Sequence, residues 1–147
     1  MDDKNVHELV KDYYGQFLKS SEDLQSNCCT AEAPDPEHAA IIAELPDEVV
    51  AKFYGCGSPI PAVLEGLTVL DLGCGSGRDV FLLSKLVGET GRVIGVDMTD
   101  EQLDVGRRHA DDVAKRFGYA KSNVSLRKGY IEDLAACDIA DESVDLV

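Results

Sequence analysis

The stretch Asp71-Leu72-Gly73-Cys74-Gly75-Ser76-Gly77 constrains this chain more than any other. Ahead of it runs Leu67-Thr68-Val69-Leu70, an apolar segment that reads as a buried strand, and behind it residues 78–86 read as a helix. Glycines at alternate positions between strand and helix let the backbone approach a ligand closely, because no Cβ stands in the way. The helix start adds free N–H groups and a partial positive charge. A small polar or anionic cofactor is the occupant this arrangement predicts.

A dinucleotide-binding turn spaces its glycines G-x-G-x-x-G. Here Arg78 stands where the third glycine would fall, and the spacing is G-x-G-x-G behind an acidic residue. That turn resembles the first motif of S-adenosylmethionine (SAM)-dependent methyltransferases of the Rossmann-like class. A second strand, Gly91-Arg92-Val93-Ile94-Gly95-Val96-Asp97, ends in a carboxylate 20 positions after Gly77. An acid there can take both ribose hydroxyls of a nucleoside and would repel a 2′-phosphate. A glycine turn alone is equally a tight turn. Strand, helix, second strand and terminal Asp97 in register point to a nucleoside-cofactor site. A nicotinamide-dependent reductase would have to bind its dinucleotide despite Arg78.

Strand-helix alternation continues. Thr99-Asp100-Glu101-Gln102 has the form of a capping box, Leu103 to Phe117 mark an amphipathic helix, and Gly118 closes it. Val124-Ser125-Leu126-Arg127 reads as a third strand and residues 129–134 as the loop after it. Such alternation builds a parallel sheet by right-handed crossovers, with ligands at the carboxyl ends of its strands. Asp71 to Gly77, Asp97 and the 129–134 loop all fall on that edge. The chain stops at Ser143-Val144-Asp145-Leu146-Val147, which reads as a strand opening. The expected fold is α/β, a Rossmann-like class I methyltransferase fold incomplete at its C-terminus, in a piece of a longer protein. Residues 63–147 would form the SAM-binding domain, and residues 1–62 an N-terminal helical and cysteine-bearing extension.

In that extension, Val6, Leu9, Val10, Tyr13, Tyr14, Phe17 and Leu18 trace one face of a helix, predicting that this stripe packs on the domain. A lid over the cofactor using Tyr13 or Tyr14 is compatible with that. Residues 20–36 keep no period and read as loop, and short helices are expected at 37–45 and 47–54. The formal charge of −14 argues against nucleic-acid substrates and an anionic membrane surface. No apolar run is long enough to span a bilayer and the start lacks a signal peptide's apolar segment, so a cytoplasmic location is the expectation.

Five cysteines remain to be explained: Cys28, Cys29 and Cys56 before the cofactor fold, Cys74 in the glycine turn and Cys137 in a late loop. None makes a C-x-x-C pair, and His7, His38 and His109 are scattered, so zinc is poorly supported. Soft thiolates in an accessible loop suit a thiol-seeking centre held by sulfurs from different segments. Cys74 reads first as a small packed residue and Cys137 as incidental.

Taken together, Tyr13-Tyr14-Gly15-Gln16, Leu24 to Cys29, Tyr54-Gly55-Cys56-Gly57, Asp71 to Asp79, Gly95-Val96-Asp97-Met98-Thr99 and Gly129-Tyr130-Ile131-Glu132 resemble the arsenite methyltransferases. The resemblance runs from about Tyr13 to the last residue. It implies stepwise methylation of thiolate-bound trivalent arsenic from SAM, with arsenite or its thiol conjugates as substrate. A cellular thiol reductant (glutathione or thioredoxin) and a monomeric full-length protein are implied as well. Cys29 and Cys56 match the family's first two cysteines, which relay arsenic or form a disulfide during the cycle; Cys28 is a spare thiol beside them. The family's two later cysteines, its usual arsenic ligands, would lie beyond Val147, so turnover by this chain alone is not expected.

For the cofactor, the resemblance places Gly73, Cys74, Gly75 and Gly77 around the methionine end, with Asp71 near its amino group and Tyr54 and Gly55 over it. Asp97 takes the ribose, Met98 lies against the adenine with Gln102 nearby, and Ile131 and Glu132 border the ring. Arg78, a cation in the first helical turn, opposes the helix dipole by roughly 0.3–1 kcal/mol. It should therefore meet a carboxylate, the cofactor's or that of Asp79. Two other readings stay open: a SAM-dependent methyltransferase of another small molecule, and a non-catalytic thiol module that binds arsenic or zinc.

Overall fold

A computed structural model describes residues 3–19, 34–55 and 60–147. Cys28, Cys29 and Cys56 lie outside the described residues. Three parallel strands, β1 (Thr68–Leu72), β2 (Arg92–Asp97) and β3 (Val124–Lys128), form a sheet in the order β1-β2-β3. Each crossover is a helix, α4 (Arg78–Val87) and then α5 (Asp100–Arg116). The three strands and α4 form within two residues of their predicted limits. At the chain's end Leu146 bridges Val69 in parallel, its carbonyl accepting the Leu70 N–H at 2.9 Å. The outer edge of β1 is thus partly paired.

Alternation along the strands sorts side chains to two faces. Val69 and Val93 point to the helices and meet Val80, Leu83 and Leu103, while Leu70, Ile94 and Val96 point the other way, onto Cys137 and Ile139. Residue 95 faces the helices but has to be glycine. A Cβ there would lie 2.8 Å from the Cys74 sulfur and 2.9 Å from Leu126. Cys74 thereby fills the space that the central strand leaves open.

Two short helices, α2 (Pro36–Ala43) and α3 (Asp47–Ala51), pack on α4 and α5 through Ile41, Leu45 and Val49, which share one apolar cluster with Phe81, Leu82 and Val113. Asp35 caps α2, accepting the N–H groups of Glu37 and His38. Both helices end earlier than predicted, α3 by three residues, which leaves Lys52 to Gly55 as a non-helical strap over the sheet's carboxyl edge.

The N-terminal helix differs from expectation. Helix α1 (Asp3–Asp12) runs into a π-helical turn, Tyr13–Phe17. The stripe does not pack as one face: Leu18 is buried, but Leu9 is 60% and Phe17 73% exposed. Val10 and Tyr14 turn instead toward the carboxyl edge of the sheet. The wider π turn shifts the register, so residues on one α-helical stripe do not stay on one side. Among the described residues no helix is long and apolar enough to cross a membrane.

Candidate functional site

A cavity of about 480 Å3 opens at the carboxyl ends of the strands. Its floor is the glycine turn. Gly73, Gly75 and Gly77 all have positive φ (77°, 54° and 93°), a conformation that side chains with a Cβ disfavour. The turn is fixed to β2 by backbone bonds, the N–H groups of Gly73 and Cys74 both reaching the Val96 carbonyl at 2.8 and 3.0 Å. Asp97 completes the fixing. One carboxylate oxygen accepts the Gly75 N–H at 2.9 Å, the other the Thr99 N–H at 2.8 Å. A carboxylate has about four acceptor positions, so two remain for ligand hydroxyls.

Asp71 lies deeper in the same cavity. Burial, together with the negative charges of Asp79 and Asp97, raises its pKa to about 6. A cation placed beside it would restore full ionisation, which is what a ligand ammonium requires of its partner. Arg78 does not line the cavity. Its guanidinium bonds Asp79 at 2.8 and 3.0 Å and lies 3.1 Å over the Phe53 ring, so the carboxylate it meets is that of Asp79. Gly77 likewise stands behind the wall, capping α4 against Phe81. Among the described residues Lys52 is the lysine or arginine that lines the cavity, where a ligand carboxylate would find it.

The Cys74 backbone borders the cavity, but its thiol is buried against Gly95 and held well above the usual pKa by burial and by Asp71 and Asp97. It behaves as packing, not as a nucleophile. Tyr54 and Gly55 form part of the strap, Met98 follows Asp97 along the wall, and Ile131 and Glu132 stand on the opposite rim, Ile131 being 56% exposed.

The capping box expected at Thr99 and Gln102 does not form. Thr99 makes no side-chain cap, and Gln102 donates its Nε2 hydrogen to the Tyr14 carbonyl at 2.9 Å. Its Oε1, buried beside the glycine turn, has no hydrogen-bond partner among the described residues. A buried acceptor without a donor is costly, and a ligand donor that reached this oxygen would relieve that cost. With Asp97, Asp71 and a backbone cradle at the glycines, these residues fit the nucleoside amino acid expected from the sequence.

Several contributors escaped the sequence reading. Ser76 is buried and its single hydroxyl hydrogen is shared between the carbonyls of Val49 (3.0 Å) and Lys52 (3.4 Å), tying α3 and the strap to the glycine turn. His7 stacks on Tyr130 with ring centroids 4.8 Å apart and reaches Glu132 at 3.1 Å, spanning the rim from α1. The spacing of His7, Val10 and Tyr14 on one helical face was the signal available for the last group. Nothing local announces the bonds of Ser76.

A methyltransferase-domain family model matches residues 64–147. An arsenite methyltransferase of Aquipseudomonas alcaligenes is 50% identical over 143 residues, covering 97% of this chain and 41% of that protein. The arsenite methyltransferase of Homo sapiens is 45% identical over 147 residues, covering 99% and 39%. A crystal structure of an arsenic(III) S-adenosylmethionine methyltransferase from Chlamydomonas reinhardtii superposes with a TM-score of 0.76 at 52% identity, over 78% of this chain and 38% of that one. The chain spans about two fifths of the length of the curated relatives it matches.

Proposed function

We propose, from the premise that this chain belongs to the methyltransferase-domain family, that it is the cofactor-binding part of an arsenite methyltransferase. One observation carries the substrate. The identity of 50% extends over 97% of the chain, well beyond the matched domain at 64–147, and so includes the segment that bears Cys28, Cys29 and Cys56.

The cofactor is SAM, which when bound supplies an electrophilic methyl group on a sulfonium sulfur. Asp97 accepts from a ribose hydroxyl at a free acceptor position, and the backbone at Gly73 and Gly75 admits the ligand closely. Asp71 takes the ammonium of the amino-acid end and Lys52 its carboxylate. The thiolates of Cys29 and Cys56, with Cys28 as a neighbouring thiol, capture arsenic(III) for relay to the later cysteines of the whole protein, and thiolate ligation leaves the arsenic lone pair free as the nucleophile. That nucleophile carries no proton, so no general base is required. The chain's contribution is proximity and alignment. Donation of the lone pair takes arsenic formally from the trivalent to the pentavalent state, a thiol pair returns it to the trivalent state by going to a disulfide, and a cellular reductant such as glutathione or thioredoxin would reduce that disulfide. The whole protein works as a monomer in the cytoplasm.

Calorimetric titration tests this. S-adenosylhomocysteine and arsenite should each give binding heat with the unmodified protein. Cys29→Ser and Cys56→Ser should lose the arsenite heat and keep the other. Unchanged arsenite binding in both variants would move the substrate to some other small molecule, and absence of S-adenosylhomocysteine binding would leave only a thiol module.

A further inference from the structure

Gln102 sits where two otherwise separate parts of the cleft meet. It is 3% exposed, and its side chain belongs to the first turn of α5. The Tyr14 carbonyl can only accept, so the amide nitrogen must face it and the amide oxygen must face away. That oxygen is the one buried side-chain polar atom among the described residues without a hydrogen-bond partner. It lies 3.9 Å from the point where a Cβ on Gly75 would stand, and the Gly75 N–H is held by Asp97. Donor arm and acceptor arm of one amide thus point to the N-terminal turn and to the glycine turn at Gly75, beside Asp97.

The N-terminal segment leaves much of its surface in solvent. Val6, Leu9 and Phe17 are exposed, and its apolar contribution is largely Leu18 with Val10 and Tyr14 over the cavity. Besides Gln102, its contacts include His7 on Tyr130 and Glu132, the Tyr54 hydroxyl on the Leu18 carbonyl at 3.3 Å, the Tyr14 ring near that of Tyr54, and Gly15 against Thr99 and Glu101. A segment with this little burial opens at low cost.

We infer that Gln102 couples cofactor binding to seating of residues 3–18 over the cleft. Its oxygen accepts a hydrogen bond from a hydroxyl of the bound nucleoside, while its nitrogen holds the Tyr14 carbonyl. Each bond fixes the amide for the other, so the two events favour one another by linkage. The inference rests on the reading that a nucleoside cofactor occupies the cavity. Gln102 is a positioning residue for it, and the N-terminal turn is the lid whose closure it reports.

The test is backbone deuterium exchange over residues 3–18, read by mass spectrometry with and without S-adenosylhomocysteine, with calorimetry in parallel. In the unmodified protein the ligand should slow exchange there by about fivefold or more. Gln102→Met keeps the length and shape but removes both polar arms. It should weaken S-adenosylhomocysteine binding about tenfold and abolish the ligand-induced protection of 3–18, with protection of the glycine turn retained. Should that variant fold poorly, Gln102→Asn, too short to span both partners, is expected to lose the same protection. Ligand binding without slowed exchange at 3–18, or protection that survives in the variants, overturns the coupling and leaves the cofactor reading standing. No binding heat in the unmodified protein overturns both.

Discussion

The cavity has a floor and a roof built on opposite principles. The floor, from β1 through the glycine turn to α4, rests on fully buried side chains such as Phe81, Val80 and Leu82, and its backbone is bonded to β2 and to Asp97. The roof, α1 and the π turn, lies over the same cavity on contacts that include the Gln102 and His7 bonds, with Val6, Leu9 and Phe17 of its apolar stripe in solvent. A floor must hold ligand atoms in one place, which needs close packing. A roof must let ligand in and out, which needs contacts cheap enough to break.

Substitutions on each side should expose that difference, the floor first. Phe81→Ala empties a site beneath Gly77 and should cost about 3–5 kcal/mol of unfolding free energy in urea titration. A loss under about 1 kcal/mol would show that the floor is not the rigid half.

Asp71 comes next, because the floor stores an electrostatic cost there. The folded chain binds a proton at Asp71 up to about pH 6, against 3.8 as the ordinary value, so between these the folded state holds more protons than the unfolded state. Ligand-free stability should therefore fall as pH rises from about 4 to 6 and stay lower above it, by no more than about 3 kcal/mol. Asp71→Asn should flatten that slope and stabilise the ligand-free protein at pH 7, while weakening S-adenosylhomocysteine binding. Thermal unfolding across the pH range against calorimetry checks both halves, and an unchanged slope in the variant would place the cost elsewhere.

The roof gives the smallest effect. Leu9→Ala and Phe17→Ser alter exposed positions and should change stability by less than about 0.5 kcal/mol. A loss of 2 kcal/mol in either would mean that α1 belongs to the core and would erase the contrast.

The same division separates what could be read in advance from what could not. The strands at 68–72, 92–97 and 124–128, the crossover helices and the clustering of Asp71, the glycines, Asp97 and residues 129–134 on one edge were legible, because period and glycine spacing are local signals. The capping box at Thr99 was misread for the same reason. The local pattern permits it, but Tyr14, 88 residues away, competes for the Gln102 amide and wins.

By itself, then, the sequence determined the floor: a turn whose backbone only glycine accepts freely, set between a strand and a helix and followed by an acid at the end of the next strand. Tertiary structure alone decided which face of α1 looks into the cleft, which carboxylate Arg78 takes, that Ser76 ties down the strap, and that Asp71 titrates near 6. Backbone conformation is set by neighbours along the chain, whereas burial, pKa and the partner of a polar side chain are set by groups that only folding brings together.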